Sequence, residues 1–382
     1  MNMHSKGAAI SDFLRRNVIL ITLIAVMVLF QVITDGLFLG ARNLSNLLRQ
    51  TSIIGVVTMS MLMLIIAGKI DLACGMSVAL CGGMVAIAMV RMGLPITVSV
   101  LLSVLLGALI GLWQGMWVAK GGLVPFICTL ADKLLFQGLY LTIIQGKTIG
   151  PVSSGFKQIA QGYLPAGFAW ALCAVVIAAI LVNEVMKRKK ILSYGLEGGS
   201  LGGMLARILV YCALVVAICW RLCQHQGVPV LVLIMFGFVL LTGIILGKTR
   251  FGRRVYAIGG NTEAAKLSGI NIEKYTIALY VIAGVFAAVA GCMLVARLDG
   301  ATNTAGTNYE TDAISACVIG GASMNGGIGT VFGAVVGILL IAALENGMGL
   351  LNISTYVQYI VKGLVLLAAV WFDIRSRRAG KN

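Results

Sequence analysis

The sequence predicts an all-α polytopic integral membrane protein, with about 10–12 transmembrane helices and both termini in the cytoplasm. Composition is the first reason: 59% of the 382 residues are hydrophobic and 11% are charged, whereas soluble domains carry roughly 25% charged residues. Apolar runs of helix length that recur along the chain are the second. The third is that the cations lie in blocks between those runs. Because backbone N–H and C=O groups must be paired inside hydrocarbon, the runs are expected to be helices.

Twelve apolar segments are long enough to be considered as spans. They lie near residues 18–34, 51–67, 72–90, 95–118, 123–144, 168–185, 205–221, 228–247, 275–296, 311–323, 327–346 and 355–373. The segment at 311–323 is short and contains Asp312, so its length alone also permits a re-entrant structure.

The distribution of Lys and Arg predicts the orientation. If all twelve segments cross, the cytoplasmic loops hold 20 of the 29 cations and the external loops hold seven. Six of the 20 lie in the segment 248–274. Removing one crossing would place the four cations after Asp373 outside, against the positive-inside bias. The crossing number is therefore expected to be even, with 248–274 cytoplasmic.

The residues that usually carry enzyme chemistry are scarce. The nine cysteines lie mostly within apolar runs without a CxxC pair, and the two histidines, His4 and His225, lie outside them. The cysteines are therefore expected to be small buried side chains, and no metal site is predicted. The string GxxxGKT at 243–249 is one residue short of a phosphate-binding loop and lies at a membrane helix end. The chain is predicted to be neither an enzyme nor a nucleotide-binding or nucleic-acid-binding protein.

Several ionisable residues fall at membrane depth, where a charge is costly and so marks a candidate functional position. They are Asp71, Asp132 with Lys133, Asp312, Glu345 with Asn346, and Lys362. Pairing between helices explains such residues equally well, and the sequence leaves both explanations open.

Two glycine stripes predict close helix packing. Glycines recur at every fourth position at Gly107, Gly111 and Gly115, and again at Gly329, Gly333 and Gly337. Small residues at this spacing let helix backbones approach closely in lipid. Packing within one subunit and contact across a dimer axis are both consistent with the pattern.

Two polar segments interrupt the apolar chain. The segment 248–274 contains Glu263, Ala264 and Ala265, then three residues, then Gly269. The polar segment 298–310, LDGATNTAGTNYE, is predicted to be external. It suits a gate or a contact for a soluble receptor, and an inactive loop has the same composition.

Six strings resemble one family over roughly residues 40–373. They are NLLRQTSIIG, AGKIDLACGMS, GxxxGxxxG followed by PFICTLA, FGRRVYAIGGNTEAAKLSGI, TAGTNYETDAISACVIGGAS and GGxGTVFGAVVG. In this order they resemble the permease subunits of bacterial ribose/xylose-type importers that use an ATP-binding cassette. QGKTIGPVSSGFKQIAQGYLPAGF and the extra spans at 168–221 resemble the xylose and multiple-sugar branch. Lys69, Ala73 and Cys74 depart from the usual GxIDLSVG pattern, although a turn at Ile70 to Leu72 is still expected.

The resemblance implies a single transmembrane permease domain over 1–382, with a cytoplasmic ATPase-coupling loop at 248–274. It implies an ATPase subunit that uses ATP and Mg, an extracytoplasmic sugar-binding protein and a second permease copy, most simply in a homodimer. The chain itself would bind no cofactor. Its location would be the lipid bilayer of the bacterial cytoplasmic (inner) membrane.

Carried over residue by residue, the resemblance predicts two sets of site residues. The ATPase-coupling residues are Gly259, Gly260, Asn261, Glu263, Ala264, Ala265 and Gly269. The translocation-pathway residues are Thr58, Ser60, Phe126, Thr129, Asn303 and Asp312. We expect the Glu-Ala-Ala segment to form a short helical knob, with glycines on either side that turn the chain sharply.

The function expected from these features is ATP-driven import of a monosaccharide, D-xylose or a related sugar, from the binding protein to the cytoplasm. A branched-chain amino-acid or nucleoside permease of the same superfamily is the first alternative, since the coupling loop does not report the substrate. An ion-coupled secondary carrier is the second, and it would use a membrane carboxylate such as Asp132.

Overall fold

The computed structural model describes residues 18–193 and 201–379. Most of this part is helical. The helices are α1 (Val18–Ile33), α2 (Ala41–Ile66), α3 (Cys74–Val90), α4 (Ile96–Ala119), α5 (Pro125–Ile144), α6 (Ser154–Gln161), α7 (Ala166–Ser193), α8 (Leu201–Cys223), α9 (Val230–Lys248), α10 (Arg250–Gly260), α11 (Thr262–Leu267), α12 (Ile272–Leu298), α13 (Tyr309–Ile319), α14 (Val331–Leu350) and α15 (Thr355–Ala379). Two short strands, β1 (Tyr163–Leu164) and β2 (Val228–Pro229), pair antiparallel.

The predicted fold class is confirmed. Every one of the twelve predicted segments corresponds to a helix. Within the described residues, eight helices are long and apolar enough to cross a membrane, and α1, α3 and α15 contain shorter apolar stretches. The seventeen residues before α1 and the last three residues lie outside the described part. The orientation of the termini stays a prediction.

Helix α2 begins at Ala41, well before the predicted start near residue 51. Its first turns are polar, so the apolar run understates the helix. Those polar groups have partners inside the protein: the Asn43 amide exchanges hydrogen bonds with Asn346 at 2.7 and 3.1 Å. Gln50 donates to Glu345 on the same helix, α14, at 3.4 Å. Because interhelical pairing satisfies these side chains, the helix continues through a stretch that hydropathy excludes.

Two ends of the helical bundle can be defined from backbone contacts. At the bridge end, Ile149 pairs with Ala301 in an isolated β-bridge. At the loop end, the amide of Gly327 donates to the carbonyl of Ile66 at 2.8 Å. Helix α5 joins these ends, since Thr129 near its start approaches Ile70 and Tyr140 near its finish donates to Thr302. A 20-residue helix is about 30 Å long, so the two ends lie on opposite sides of the bundle.

The short predicted segment at 311–323 crosses the bundle. The chain leaves the bridge end at Ala301 and reaches the loop end by Gly327. Only the 11 residues of α13 are helical in between. The preceding stretch 302–308 is built of turns, and Ala305 and Gly306 within it are buried. The predicted external loop at 298–310 therefore enters the bundle with its second half, because a helix of 11 residues is too short to span alone.

The first glycine stripe packs within the chain. A Cβ built on Gly107 would lie 2.3 Å from the carbonyl of Gly284, and one on Gly111 would lie 2.1 Å from that of Tyr280. Helices α4 and α12 thus touch through their backbones. The second stripe needs a correction: Gly329 precedes the Thr330 cap of α14, and only Gly333 and Gly337 are helical. Those two pack on Gly320 and Ala316.

Helices α7 and α8 form the extra hairpin predicted at 168–221. The antiparallel strands β1 and β2 bring its two ends together. Large apolar side chains such as Phe168, Trp170 and Leu209 are exposed along it, as expected for helices that face lipid. Its connection, 194–200, lies outside the described residues.

Candidate functional site

The predicted coupling segment folds into three consecutive helices with side-chain caps. The Thr249 hydroxyl accepts from the amide of Gly252 at the start of α10. Asn261 accepts from Ala264 at the start of α11, and Asn271 accepts from Lys274 at the start of α12, both at 2.9 Å. A capping side chain satisfies one of the free N–H groups of a helix's first turn. The local sequence therefore fixes where each helix begins.

Gly259 holds this segment against the bundle. A Cβ at this position would lie 1.7 Å from the carbonyl oxygen of Ile66 and 2.6 Å from the amide nitrogen of Gly327. Neither the end of α2 nor residue 327 could remain where it is beside a larger residue. Gly260, its neighbour, has open space around the same position. The expectation that both glycines turn the chain is wrong, because both are helical and the extended Asn261 makes the turn.

The knob itself is α11. Glu263 and Ala264 are exposed, while Ala265 is buried against the protein. Leu267 is 88% exposed. Gly269 follows with φ +80° and open space around it, a backbone conformation that favours glycine. The expected helical Glu-Ala-Ala segment is therefore present, and it presents an acidic and an apolar side chain outwards.

Two arginines of α10, Arg253 and Arg254, precede the knob in the chain. Arg254 donates to the Tyr275 hydroxyl and lies 5.5 Å from the centre of that ring. Arg253 is exposed. The stacked Arg254 links α10 to α12, and Arg253 adds an accessible positive charge.

The predicted pathway residues on α2 face the interior. Thr58 and Ser60 are buried, and their hydroxyls donate to the carbonyls of Ile54 and Val57 on the same helix, each at 2.8 Å. The carbonyl of Thr58 also accepts from Cys317 on α13. Both hydroxyls are thus satisfied by their own helix.

The remaining pathway candidates lie in different parts of the bundle. Thr129 is buried and donates to Pro125 at 2.9 Å, while Phe126 is exposed on the surface of α5. Asn303 is exposed at the bridge end and donates to Gly146 at 3.0 Å. The structure does not bring these residues together, and their role in a pathway stays a prediction.

Asp312, Glu345 and Lys362 form one interhelical ion-pair cluster. Lys362 on α15 donates to Asp312 at 3.0 Å and to Glu345 at 3.2 Å. Both Lys362 and Asp312 are largely buried. Pairing between helices, one of the two explanations that the sequence left open, therefore holds for these three residues.

Lys133 pairs with a residue that the sequence did not single out. Its ammonium lies 2.6 Å from Oε1 of Glu310, at the start of α13. The adjacent Asp132 instead accepts from the Trp113 indole at 3.1 Å and from the Cys128 thiol. Asp132 and Lys133 are adjacent in sequence, but they contact different helices: Asp132 contacts α4 and Lys133 contacts α13. Glu310 directly follows the polar string TNTAGTNY. Because that string was predicted to be an external loop, the sequence did not indicate that Glu310 is buried.

The expected turn at Ile70 to Leu72 is present between α2 and α3. Oδ1 of Asp71 accepts from the amide of Ala73 at 2.8 Å and from the Gln114 amide at 3.1 Å. The carbonyl of Ile70 accepts from the Tyr280 hydroxyl at 3.1 Å. Because side chains from α4 and α12 satisfy this stretch, it can remain non-helical inside the bundle.

An ion pair closes the bridge end. Lys157 on α6 donates to Oδ2 of Asp299 at 2.6 Å, and the amide of Val152 donates to Oδ1. The hydrogen bond from the Lys157 ammonium lowers the pKa of Asp299. The segment between α5 and α6 is thereby attached to the end of α12.

Eight helices of spanning length among the described residues define the class of this molecule as a multi-pass membrane protein. A family model described as "Branched-chain amino acid transport system / permease component" matches residues 43–370. The chain belongs to this family of transport subunits, which confirms the resemblance found in the sequence.

Curated relatives cover almost the whole chain. It is 42% identical over 362 residues to the xylose transport system permease protein XylH of Escherichia coli, covering 94% of this chain and 92% of the relative. The corresponding protein of Haemophilus influenzae is 42% identical, with 94% and 96% covered. The ribose import permease protein RbsC of Bacillus subtilis is 35% identical, with 91% and 89% covered. No solved structure matches.

Proposed function

We propose that this chain is the membrane subunit of an ATP-binding cassette importer for D-xylose or a related monosaccharide. The observation that carries the proposal is the 42% identity to xylose permeases over 94% of the chain. Identity falls to 35% for a ribose permease. The family description mentions branched-chain amino acids, but the similar relatives named above are sugar permeases, so a sugar is the better-supported substrate.

The proposed assembly contains two permease copies, an ATPase subunit and an extracytoplasmic sugar-binding protein, in the bacterial cytoplasmic membrane. The permease copies each contribute one transmembrane domain over 1–382, and ATP with Mg is bound by the ATPase alone. The loop 248–274 is the proposed ATPase-coupling surface. Its support is the capped, outward-facing α11 between Asn261 and Gly269.

Mechanically, α11 is suited to transmit a displacement to the bundle. Gly259 fits α10 against the carbonyl of Ile66 and the amide of Gly327 without space for a side chain. When the ATPase closes on ATP, a push on Glu263 and Leu267 would move α10, and with it the C-terminal end of α2 and the turn before α14. Sugar released by the binding protein would then pass to the cytoplasm.

Reconstitution tests this function directly. The chain is incorporated into proteoliposomes with the ATPase and the sugar-binding protein of its importer, and uptake of labelled xylose, ribose, leucine and a nucleoside is measured. We expect xylose uptake that requires internal ATP and the binding protein. Preferred uptake of leucine or the nucleoside would contradict the sugar assignment.

The same vesicles separate an ATP-driven importer from an ion-coupled carrier. A protonophore should leave xylose uptake unchanged, while a non-hydrolysable ATP analogue should abolish it. Uptake that survives without ATP and collapses with the proton gradient would instead identify Asp132 as a candidate coupling carboxylate.

A further inference from the structure

Two helices begin next to each other inside the bundle. Helix α3 starts at Cys74 after the non-helical residues 67–73, and α13 starts at Tyr309 after the turns of 302–308. A Cβ on Gly75 would lie 2.3 Å from the carbonyl of Gly306, and one on Gly306 would lie 2.0 Å from that of Gly75. Helix N-termini carry free N–H groups and a partial positive charge. Broken helices in transporters place such ends at substrate sites.

The meeting point is remote from both ends of the bundle. Glu310, in the first turn of α13, is paired with Lys133, which lies near the middle of α5. Oε2 of Glu310 would be 2.6 Å from a Cβ on Gly75, so this oxygen lies against the first turn of α3. The carboxylate is therefore held at the junction of α3, α5 and α13.

Half of this carboxylate lacks a protein partner. Glu310 is 2% exposed, and its Oε2 accepts no hydrogen bond within the described residues. Oε1, in contrast, accepts from the Lys133 ammonium. A buried acceptor without a partner is costly, and such groups are uncommon in native proteins. This oxygen retains the capacity to accept a hydrogen bond from a ligand hydroxyl.

Lys133 connects this buried acceptor to the surface. Its side chain is 30% exposed, on a helix whose neighbouring Phe126, Leu130 and Leu134 are exposed and apolar. An ammonium has three donors, and one of them points at Glu310. A partly exposed charge at the middle of a spanning helix is costly against lipid, so we expect the Lys133 ammonium itself to face a polar path, although the side chains beside it are apolar.

We propose that Lys133 and Glu310 together bind neighbouring hydroxyls of the sugar during its passage. Oε2 of Glu310 accepts from one hydroxyl, and the Lys133 ammonium donates to the oxygen of the next. The pair carries no net charge, which matches a neutral polyhydroxylated substrate. This inference rests on the proposed function and adds the residues that recognise the hydroxyls.

Transport of deoxy sugars tests the assignment. Proteoliposomes are supplied with a saturating amount of binding protein that has been preloaded with the sugar. Uptake of xylose and of its monodeoxy analogues is then measured for the natural chain, Glu310→Gln and Lys133→Arg. Glu310→Gln should reduce xylose uptake about tenfold, because a neutral amide accepts more weakly than a carboxylate. One deoxy analogue, lacking the bound hydroxyl, should show no further loss in that variant.

Lys133→Arg keeps the ion pair with Glu310 but changes donor geometry. It should leave the amount of protein in the membrane unchanged and alter the order in which the analogues are transported. Glu345→Gln is the matched control: it removes a carboxylate that pairs with Lys362, and it should preserve that order.

A purely structural role gives a different result. For each variant, the uptake of every deoxy analogue is divided by the uptake of xylose. If these ratios in Glu310→Gln and Lys133→Arg equal those of the natural chain, the pair only stabilises the packing of α5 on α13 and the inference is overturned. If the natural chain imports no sugar at all, the proposed function fails instead. Xylose binding to the permease in nanodiscs, measured by saturation-transfer NMR, gives a second readout. The xylose signal should weaken in Glu310→Gln and persist in Glu345→Gln.

Discussion

At the scale of single residues, adjacent positions in one helix have different environments. Gly259 and Gly260 are neighbours in one helix, yet only the first lies against backbone atoms of Ile66 and Gly327. Lys133 and Asp132 are neighbours as well, and they pair with different helices. The sequence singled out both pairs, Gly259 with Gly260 as coupling residues and Asp132 with Lys133 as ionisable residues at membrane depth, and their functional roles stay predictions. It could not separate their members, because partners from distant parts of the chain decide which one is constrained.

The glycine pair gives a controlled substitution. Gly259→Ala introduces a Cβ 1.7 Å from the Ile66 carbonyl, so α10 must move away from the bundle. We expect Gly259→Ala to lower xylose-dependent ATP hydrolysis about tenfold and to reduce the thermal midpoint. Gly260→Ala meets no atom within 4 Å and should leave both quantities near their natural values, measured in nanodiscs with the ATPase. Equal behaviour of the two variants would contradict the close contact at Gly259.

The ion-pair cluster gives a second residue-scale prediction. Lys362→Met would leave the buried Asp312 carboxylate and Glu345 without their cation, and removing one partner of a buried pair costs about 3–5 kcal/mol. We expect less folded protein in the membrane and a lower thermal midpoint. Adding Asp312→Asn and Glu345→Gln to Lys362→Met removes the uncompensated charges and should restore most of the stability. A lower midpoint in the triple variant would show that the charges themselves are required.

At the scale of elements, hydropathy identified twelve helices and misplaced some of their boundaries. Apolar runs located the spans because side chains that face lipid or the core are apolar. The start of α2 was missed, since Asn43 and Gln50 satisfy their polar groups on α14. The pairing of Lys133 with Glu310 joins positions 177 residues apart. No local pattern reports a contact of that kind.

Helix α11 is the element on which the coupling proposal can be measured. Leu267 is 88% exposed, so Leu267→Ala should leave the permease's own stability unchanged. If the ATPase covers this side chain, the substitution should weaken ATPase binding about tenfold, as for a moderate interface hot spot. Affinity can be measured by biolayer interferometry on nanodiscs. Unchanged affinity together with normal uptake would remove Leu267 from the interface.

Gly269 lies two residues after α11, and its substitution tests coupling instead of binding. Its φ of +80° disfavours a residue with a branched side chain. Gly269→Val should change the direction in which the chain leaves α11 and raise the ATP hydrolysed per sugar imported, while the protein remains in the membrane. Normal uptake with a normal ATP ratio would contradict the assignment of this turn to coupling.

At the scale of the whole molecule, the cation distribution predicts which end of the bundle faces the cytoplasm. The helix packing supplies one exposed residue at each end on which this orientation can be measured. Leu267 is exposed at the loop end and Asn303 is exposed at the bridge end, and these ends lie on opposite sides of the bundle. The positive-inside bias places the loop end, with its six cations in 248–274, in the cytoplasm.

Cysteine labelling tests this orientation. Leu267 and Asn303 are replaced by cysteine in turn, and intact cells are treated with a membrane-impermeant maleimide. Seven of the nine natural cysteines are buried and two are partly buried, so the natural chain supplies the background labelling. Asn303→Cys should react in intact cells, whereas Leu267→Cys should react only after the membrane is opened. The reverse pattern would invert the permease and move the coupling surface to the outside, where no ATP is available. Labelling of both positions in intact cells would contradict the crossing of α12, because α12 connects Leu267 to Asn303 along the chain.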